Sequence, residues 1–357
     1  MIKLKHIRGQ IGSESAAGGA VLLIYTGGTI GMKESPSDHA LRPFDFSAIM
    51  EEVPELRKFS IRIDACTFDP LIDSSDIEPA MWVKLAEIIR DSYDSYDGFV
   101  ILHGTDTMAY SASTLSFMLE NLGKPVIFTG SQLPIDSPRT DGKENLISAV
   151  EIAASRESDG SASVPEVCIF FNSLLLRGNR STKTDAEGFG AFRSPNAGPL
   201  ARAGITIRYD RDSIRRPPEG PFRIHTALDT RVSILKIHPG ITEQVARDIL
   251  LGSATRAVIL ETFGCGNAPS RGWFLETVRE SASMGKILLN VTQCNRGTVD
   301  MSLYATGRAL SEAGVKSGGD ITTESALGKL FCLMGEHPGN EAAAALLEED
   351  LRGEISK

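Results

Sequence analysis

Two threonines stand where a chain can bring a hydroxyl against a substrate. Thr29 lies in Tyr25-Thr26-Gly27-Gly28-Thr29-Ile30-Gly31, and Thr105 in His103-Gly104-Thr105-Asp106-Thr107. Each directly follows glycine, which allows tight turns and close approach of a ligand to the backbone. A hydroxyl is a weak nucleophile at its own pKa, so it needs a base to activate it and donors for the oxyanion it creates. Asp106 and His103 flank Thr105, and Lys183 sits in the polar run from Arg177 to Asp185. Asp73-Ser74-Ser75-Asp76 adds hydroxyls able to hold a carboxylate.

Each constellation also has a structural reading. Asp106 suits a helix N-cap, and Asp73 to Asp76 a capped helix start. His103 reads as a satisfied structural histidine, and the run from Arg177 to Asp185 as solvated surface unless partners elsewhere promote Lys183. Other chemistries are excluded more firmly. Thr26 stands where a dinucleotide fingerprint needs glycine, and the Gly-Lys pairs at Gly123, Gly142, Gly285 and Gly328 are never followed by Ser or Thr, as a phosphate loop requires. There is no G-x-S-x-G elbow and no H-E-x-x-H, and the histidines are scattered, so neither a serine triad nor a metal is expected.

These loops need elements to hold them. Val21 to Tyr25 and Asp97 to Leu102 are short apolar runs ending in polar glycine loops, as buried strands do. Helical spacing over Thr107 to Leu122 predicts a helix stopped by Gly123, and another is expected over Pro79 to Arg90. Strands at Pro125 to Thr129, Val167 to Phe171, Val232 to Ile237, Ala257 to Leu260 and Ile287 to Val291 alternate with helices at Glu243 to Leu251 and Trp273 to Ser281. Such alternation predicts parallel sheets covered by helices, with ligands bound beyond the carboxyl ends of the strands. A Pro-rich, charged stretch marks a linker over 208–225, giving an N-terminal domain over 1–207 and a C-terminal domain over 226–357.

With 357 residues, 41% hydrophobic and 23% charged, the chain suits a folded two-domain protein. Its formal charge of -9 gives no global positive field for a nucleic acid or an anionic membrane, which points to a small solute. Five widely spaced cysteines with no C-x-x-C pair read as reduced and intracellular, and Met1 to Ala20 lacks the unbroken apolar core of a signal peptide. No run of about 18 apolar residues offers a membrane span.

Taken together, T-G-G-T-I-G at Thr26 to Gly31, D-S-S-D at Asp73 to Asp76, H-G-T-D-T-M-A-Y at His103 to Tyr110, T-G-S-Q at Thr129 to Gln132 and R-x-T-K-T at Arg180 to Thr184 resemble the L-asparaginase family, in particular its cytoplasmic bacterial type I branch. G-C-G-N-A-P at Gly264 to Pro269 and T-Q-C at Thr292 to Cys294 extend the resemblance toward the C-terminus. The resemblance implies an α/β chain of two flavodoxin-like domains, the N-terminal one larger, and a homodimer or homotetramer with active sites shared between subunits. It implies hydrolysis of L-asparagine to L-aspartate and ammonia without a cofactor, through an acyl-enzyme on Thr29. Thr105, Asp106 and Lys183 would form a second polar triad. Asp73, Ser74, Ser75, Thr105, Asp106 and Ser131 would line the substrate, with Asn267 visiting from a neighbouring chain. Which threonine attacks first is left open.

Two positions depart from the family pattern. Lys33 to Leu41 contains no tyrosine and offers His39 at about the place of the usual lid residue. Glu261 stands where some type I members carry an arginine tied to a second, regulatory asparagine site, and neither Thr182 nor Cys294 near that pocket replaces the charge. The competing readings are a glutaminase or mixed glutaminase-asparaginase, including a tRNA-dependent amidotransferase subunit, and a non-catalytic amino-acid binding protein. One methylene separates asparagine from glutamine, about 1–3 kcal/mol in a pocket. The 20 residues before Val21 are too few for the extra N-terminal domain of the amidotransferase subunit.

Overall fold

A computed structural model describes residues 3–11, 19–34, 41–43 and 51–356. His39 lies outside the described residues. The chain divides into two compact units, one ending at Ile224 and the other beginning at His225.

In the first unit, β1 (Lys3–Ile11), β2 (Ala20–Tyr25), β3 (Arg62–Asp69), β4 (Gly98–Leu102), β5 (Val126–Thr129), β6 (Val167–Phe171) and β7 (Leu174–Arg177) build one sheet in the order β1-β3-β2-β4-β5-β6-β7. Two-residue strands, Ala201–Arg202 and Arg208–Tyr209, complete its far edge. The central strands from β3 to β6 are parallel, as alternation predicts. The edges differ, because β1 and β7 run antiparallel to their neighbours. Counted from β2, the parallel core has the doubly wound order 2-1-3-4-5. Its strands are covered on both faces, which is why Val21 to Tyr25 and Phe99 to Leu102 are unbroken apolar runs with no residue above 3% exposure.

Helices α1 (Pro79–Ser92), α2 (Met108–Met118) and α3 (Gly142–Ala154) connect β3 to β4, β4 to β5 and β5 to β6. The expected helix from Thr107 to Leu122 is shorter. Leu119–Glu120 leaves it to pair antiparallel with Arg223–Ile224, and Asn121 takes a left-handed φ of 54°, so the turn comes before Gly123. Helix α2 is buried almost all round, with small residues at Ala109, Ser111, Ala112 and Ser113 that let other backbone come close. The stretch 208–225, read as a linker, contributes Arg208–Tyr209 to the large sheet and Arg223–Ile224 to this short ribbon.

The second unit carries β8 (Val232–Lys236), β9 (Ala257–Thr262), β10 (Ile287–Thr292) and β11 (Lys316–Ser317), parallel and in sequence order. Phe274, Val278 and Leu310 fill the core on one side, and Leu330, Leu333 and Met334 belong to a separate apolar cluster. Beside that second cluster lies an ion pair without solvent contact, Lys329 Nζ to Glu354 Oε1 at 2.6 Å.

Candidate active site

The register puts the candidate loops side by side. Tyr25 on β2 pairs with Leu102 on β4, and Leu102 with Thr129 on β5, so the loops beginning at Thr26, His103 and Gly130 leave the sheet at one level. The loop after β3 joins them through the Ile72 N–H, which donates to the Thr26 carbonyl at 2.8 Å. In a doubly wound sheet the crevice for ligands opens where connections diverge to opposite sides of the first strand, here beside β2.

Glycine sets how closely these loops meet. Gly28 has φ 98° and ψ 170°, a conformation essentially reserved for glycine. A Cβ there would fall 2.5 Å from the Gly104 nitrogen, and one on Gly27 would fall 2.1 Å from the Ile72 carbonyl oxygen. The residue before Thr29 therefore rests directly on the residue before Thr105. Gly31 has a similar reason: the phenol of buried Tyr25 occupies the space its side chain would need. A cleft of about 340 Å³ opens alongside, with Tyr25, Gly27, Gly28 and Met32 on one part of its wall and Leu71, Ile72, Asp73 and Asp76 on another.

Lys183 reaches the same edge from 77 residues away in sequence. Its Nζ donates to Thr105 Oγ1 at 2.8 Å and to Asp106 Oδ1 at 2.7 Å. Thr105 Oγ1 in turn donates to Gln132 Oε1 at 3.3 Å. The lysine side chain is only 19% exposed, whereas Asp106 is 65% exposed and open to a ligand. The run from Arg177 to Asp185 is therefore not a solvated surface loop. Asn179, Arg180 and Ser181 are buried, Gly178 packs on Ala112 of α2, and Thr182–Lys183 pairs with Phe192–Arg193. Asp106 is not the N-cap of α2 either. Thr107 holds that position, with no side-chain cap bond, and its hydroxyl donates to the Ser74 carbonyl at 2.6 Å.

The other expected site residues fall in several places. Asp73 caps a turn of 3₁₀ helix, Ser74–Asp76, and one of its oxygens accepts from the Ser75 N–H at 2.9 Å and the Ser75 hydroxyl at 3.0 Å. Asp73 is exposed and lines the cleft, while Ser74 is buried with its hydroxyl against Gly104. Ser131 is buried and donates to the Leu133 carbonyl, so it shapes the loop, and its neighbour Gln132 is the residue that touches Thr105. Asn267 belongs to the second unit, where its Oδ1 accepts from Thr306 Oγ1 at 2.9 Å. Glu261 accepts from Thr323 Oγ1 at 2.7 Å and lies 3.6 Å from Lys236 Nζ, so a cation does stand beside it. His103 is structural in the sense expected: buried, with both ring nitrogens engaged, and held by desolvation at a pKa of about 4.

Gln132 escaped the sequence reading as a site residue. Its Nε2 donates to the carbonyls of Ala186 and Gly188 beyond Lys183, and its N–H is held by Asp141 at 3.0 Å. It thus ties Thr105 to the lysine loop. Its place in T-G-S-Q, two residues after the glycine of a strand-ending loop, was the signal that could have found it.

The arrangement defines a class of site: two loop hydroxyls, one of them joined to an amine and a carboxylate, at the ligand edge of a doubly wound sheet. Comparison with known proteins gives the same class. Residues 20–215 match the family model described as Asparaginase, N-terminal, and residues 231–347 match the Glutaminase/Asparaginase C-terminal domain. L-asparaginase 1 of Escherichia coli K12 is 44% identical over 349 residues, covering 94% of this chain and 98% of that protein. The crystal structure of L-asparaginase I from Vibrio cholerae superimposes with a TM-score of 0.87 at 42% identity, covering 96% of this chain and all of that one. The thermostable L-asparaginase of Thermococcus kodakarensis gives 0.86 at 32% identity over 95% of this chain and 99% of its own. The chain belongs to the asparaginase family, and the two-domain α/β fold expected from the resemblance is the one observed.

Proposed function

We propose that the chain hydrolyses the side-chain amide of L-asparagine to L-aspartate and ammonia, with Thr29 as the acylated nucleophile. The observation that carries this reading is the Lys183–Thr105–Asp106 cluster, assembled beside the loop of Thr29 from residues far apart in sequence. Thr29 Oγ1 attacks the amide carbon, backbone N–H groups hold the oxyanion, and the proton lost by the Thr29 hydroxyl passes to the amide nitrogen, which leaves as ammonia. Water then cleaves the ester and frees Thr29. Lys183 donates to Thr105 and Asp106, so the Thr105 hydroxyl can take a proton from the attacking water on one side as it gives its own to Lys183 on the other, with Asp106 balancing the lysine's charge.

The same groups account for binding an amino acid. Asp106 and Asp73 attract the α-ammonium, and the hydroxyls and amides around Ser74 and Ser75 suit the α-carboxylate. Ser131 shapes the wall through Gln132, and Asn267 of a neighbouring subunit completes the site in a cytoplasmic homodimer or homotetramer. No helix among the described residues is long and apolar enough to cross a membrane. The test is ammonia release from asparagine and from glutamine, with intact-mass detection of an acylated enzyme, for the wild type and Thr29→Ala. Loss of turnover and of the acyl adduct in a folded Thr29→Ala variant is expected. Substantial turnover in that variant refutes the nucleophile, and a higher kcat/KM for glutamine refutes the substrate.

A further inference from the structure

Beneath the Thr105 loop runs a chain of hydrogen bonds whose direction is fixed by its two ends. The Trp82 indole N–H on α1 is a donor only, and it donates to Ser111 Oγ on α2 at 2.8 Å. The Gly104 carbonyl is an acceptor only, and it lies 2.7 Å from His103 Nδ1. His103 Nδ1 must therefore carry a proton. Burial keeps the ring neutral at ordinary pH, so Nε2 is the bare nitrogen and accepts the Ser111 hydroxyl proton at 3.0 Å. The sequence Trp82, Ser111, His103, Gly104 is one unidirectional relay in which every donor meets an acceptor.

The relay has a consequence for the peptide it ends on. The Gly104 carbonyl and the Thr105 N–H belong to the same trans peptide, so they point in opposite directions. Holding the carbonyl inward on His103 turns the Thr105 N–H outward, away from the core. Among the described residues, no protein group accepts that N–H, and Thr105 is half-buried at the edge of the cleft loops. The neighbouring backbone leaves little freedom for the peptide to rotate, since Gly104 is pressed between Ser74 and Gly28.

We propose that His103 is a positioning residue: through the Gly104 carbonyl it aims the Thr105 amide N–H at the oxyanion that forms when Thr29 attacks, with Ser111 and Trp82 locking its tautomer. The inference rests on the hydrolytic reading of the site given above. A hydrogen bond accepted by the carbonyl also polarises the peptide and makes its N–H a better donor. A preorganised donor of this kind acts on the transition state more than on bound substrate, so its loss is read in kcat.

The test compares His103→Leu, which removes the donor, with His103→Asn, whose side-chain amide nitrogen occupies the place of Nδ1, and His103→Gln, whose nitrogen sits nearer Nε2. For the leucine variant kcat should fall by about 10- to 1000-fold with KM and the Kd for aspartate within about threefold of wild type. His103→Asn should restore most of kcat and exceed His103→Gln by about tenfold or more. If His103→Leu does not fold, the contrast between His103→Asn and His103→Gln decides. Equal kcat in those two folded variants overturns the proposal, as does a leucine variant that keeps wild-type kcat. Nitrogen-15 NMR of histidine-labelled wild-type protein reads the tautomer directly, with Nδ1–H expected and Nε2–H refuting the relay. Because that spectrum needs no turnover, failure of the relay is distinguishable from failure of the hydrolytic reading.

Discussion

Gly28→Ala separates placement of the hydroxyl from its chemistry, since the substitution leaves every polar group of the site intact. Alanine is excluded from φ 98°, ψ 170°, and forcing a side chain into such a region costs about 1–3 kcal/mol. Its Cβ would also stand 2.5 Å from the Gly104 nitrogen and 2.6 Å from its Cα, against ordinary contact of 3.4 Å or more. Both partners are backbone, so no rotamer change relieves the clash, and the loops of Thr29 and Thr105 must part by about 0.9 Å. Overpacking of this kind adds about 1–3 kcal/mol. A misplacement near 1 Å costs a positioned reaction about 100-fold in rate. The assay is steady-state ammonia release on the folded variant, alongside urea unfolding. Gly160→Ala serves as the control, because Gly160 also has a positive φ, of 84°, but nothing lies within 4 Å of its Cβ. That variant should lose stability and keep kcat. If Gly28→Ala retains kcat within about threefold of wild type, backbone contact does not set the distance between the two threonines.

Thr105→Val and Lys183→Met should each lower kcat by several orders of magnitude, and the double variant by little more than either, because the two groups share one proton path. Losses that simply add in a double-mutant cycle would refute the cluster. Lys329→Met should destabilise the protein by about 3–5 kcal/mol in urea unfolding, since it strands the fully buried Glu354, and Glu354→Gln in the same chain should recover part of that loss. His103 is held at a pKa of about 4, below the unfolded value near 6.5, so its contribution to stability is complete above pH 6.5 and is lost as pH falls toward 4. That loss amounts to about 3 kcal/mol, so the drop in unfolding free energy between pH 7 and pH 4.5 should shrink in His103→Asn, and an unchanged drop would assign acid lability to other groups. Initial rates against asparagine should follow a hyperbola, because the only cation beside Glu261 among the described residues, Lys236, is engaged by that carboxylate. A Hill coefficient clearly above one would show that an effector site survives there.

The sequence was most legible where one residue type answers one physical demand. The parallel core showed as unbroken apolar runs because both faces of those strands are covered, and the strand-end loops as glycines because two backbones meet there. Residue-by-residue reading stayed open where a choice depended on distant partners. Asp106 has the composition of an N-cap, and only the arrival of Lys183 from a loop anchored on α2 changes its role. Helix α2 keeps its helical periodicity to Leu122, yet it stops at Met118 because Arg223–Ile224 offers Leu119–Glu120 a strand partner.

Glu261 shows the same limit in the electrostatics. Read by itself, the carboxylate of Glu261 leaves an unanswered negative charge. In the parallel ladder of the second unit, however, Glu261 on β9 lies directly opposite Lys236 on β8. The two charges are 25 positions apart in sequence and one strand apart in space, 3.6 Å between atoms, while Thr323 donates to the other carboxylate oxygen. Lys236 is 69% exposed, so the pair itself contributes little to stability. Its effect is on what else can bind: an incoming α-carboxylate finds the lysine already facing an anion, and must compete with Glu261 for it. The carboxylate at this position is therefore paired with a cation on the neighbouring strand, and strand register is the information needed to see it.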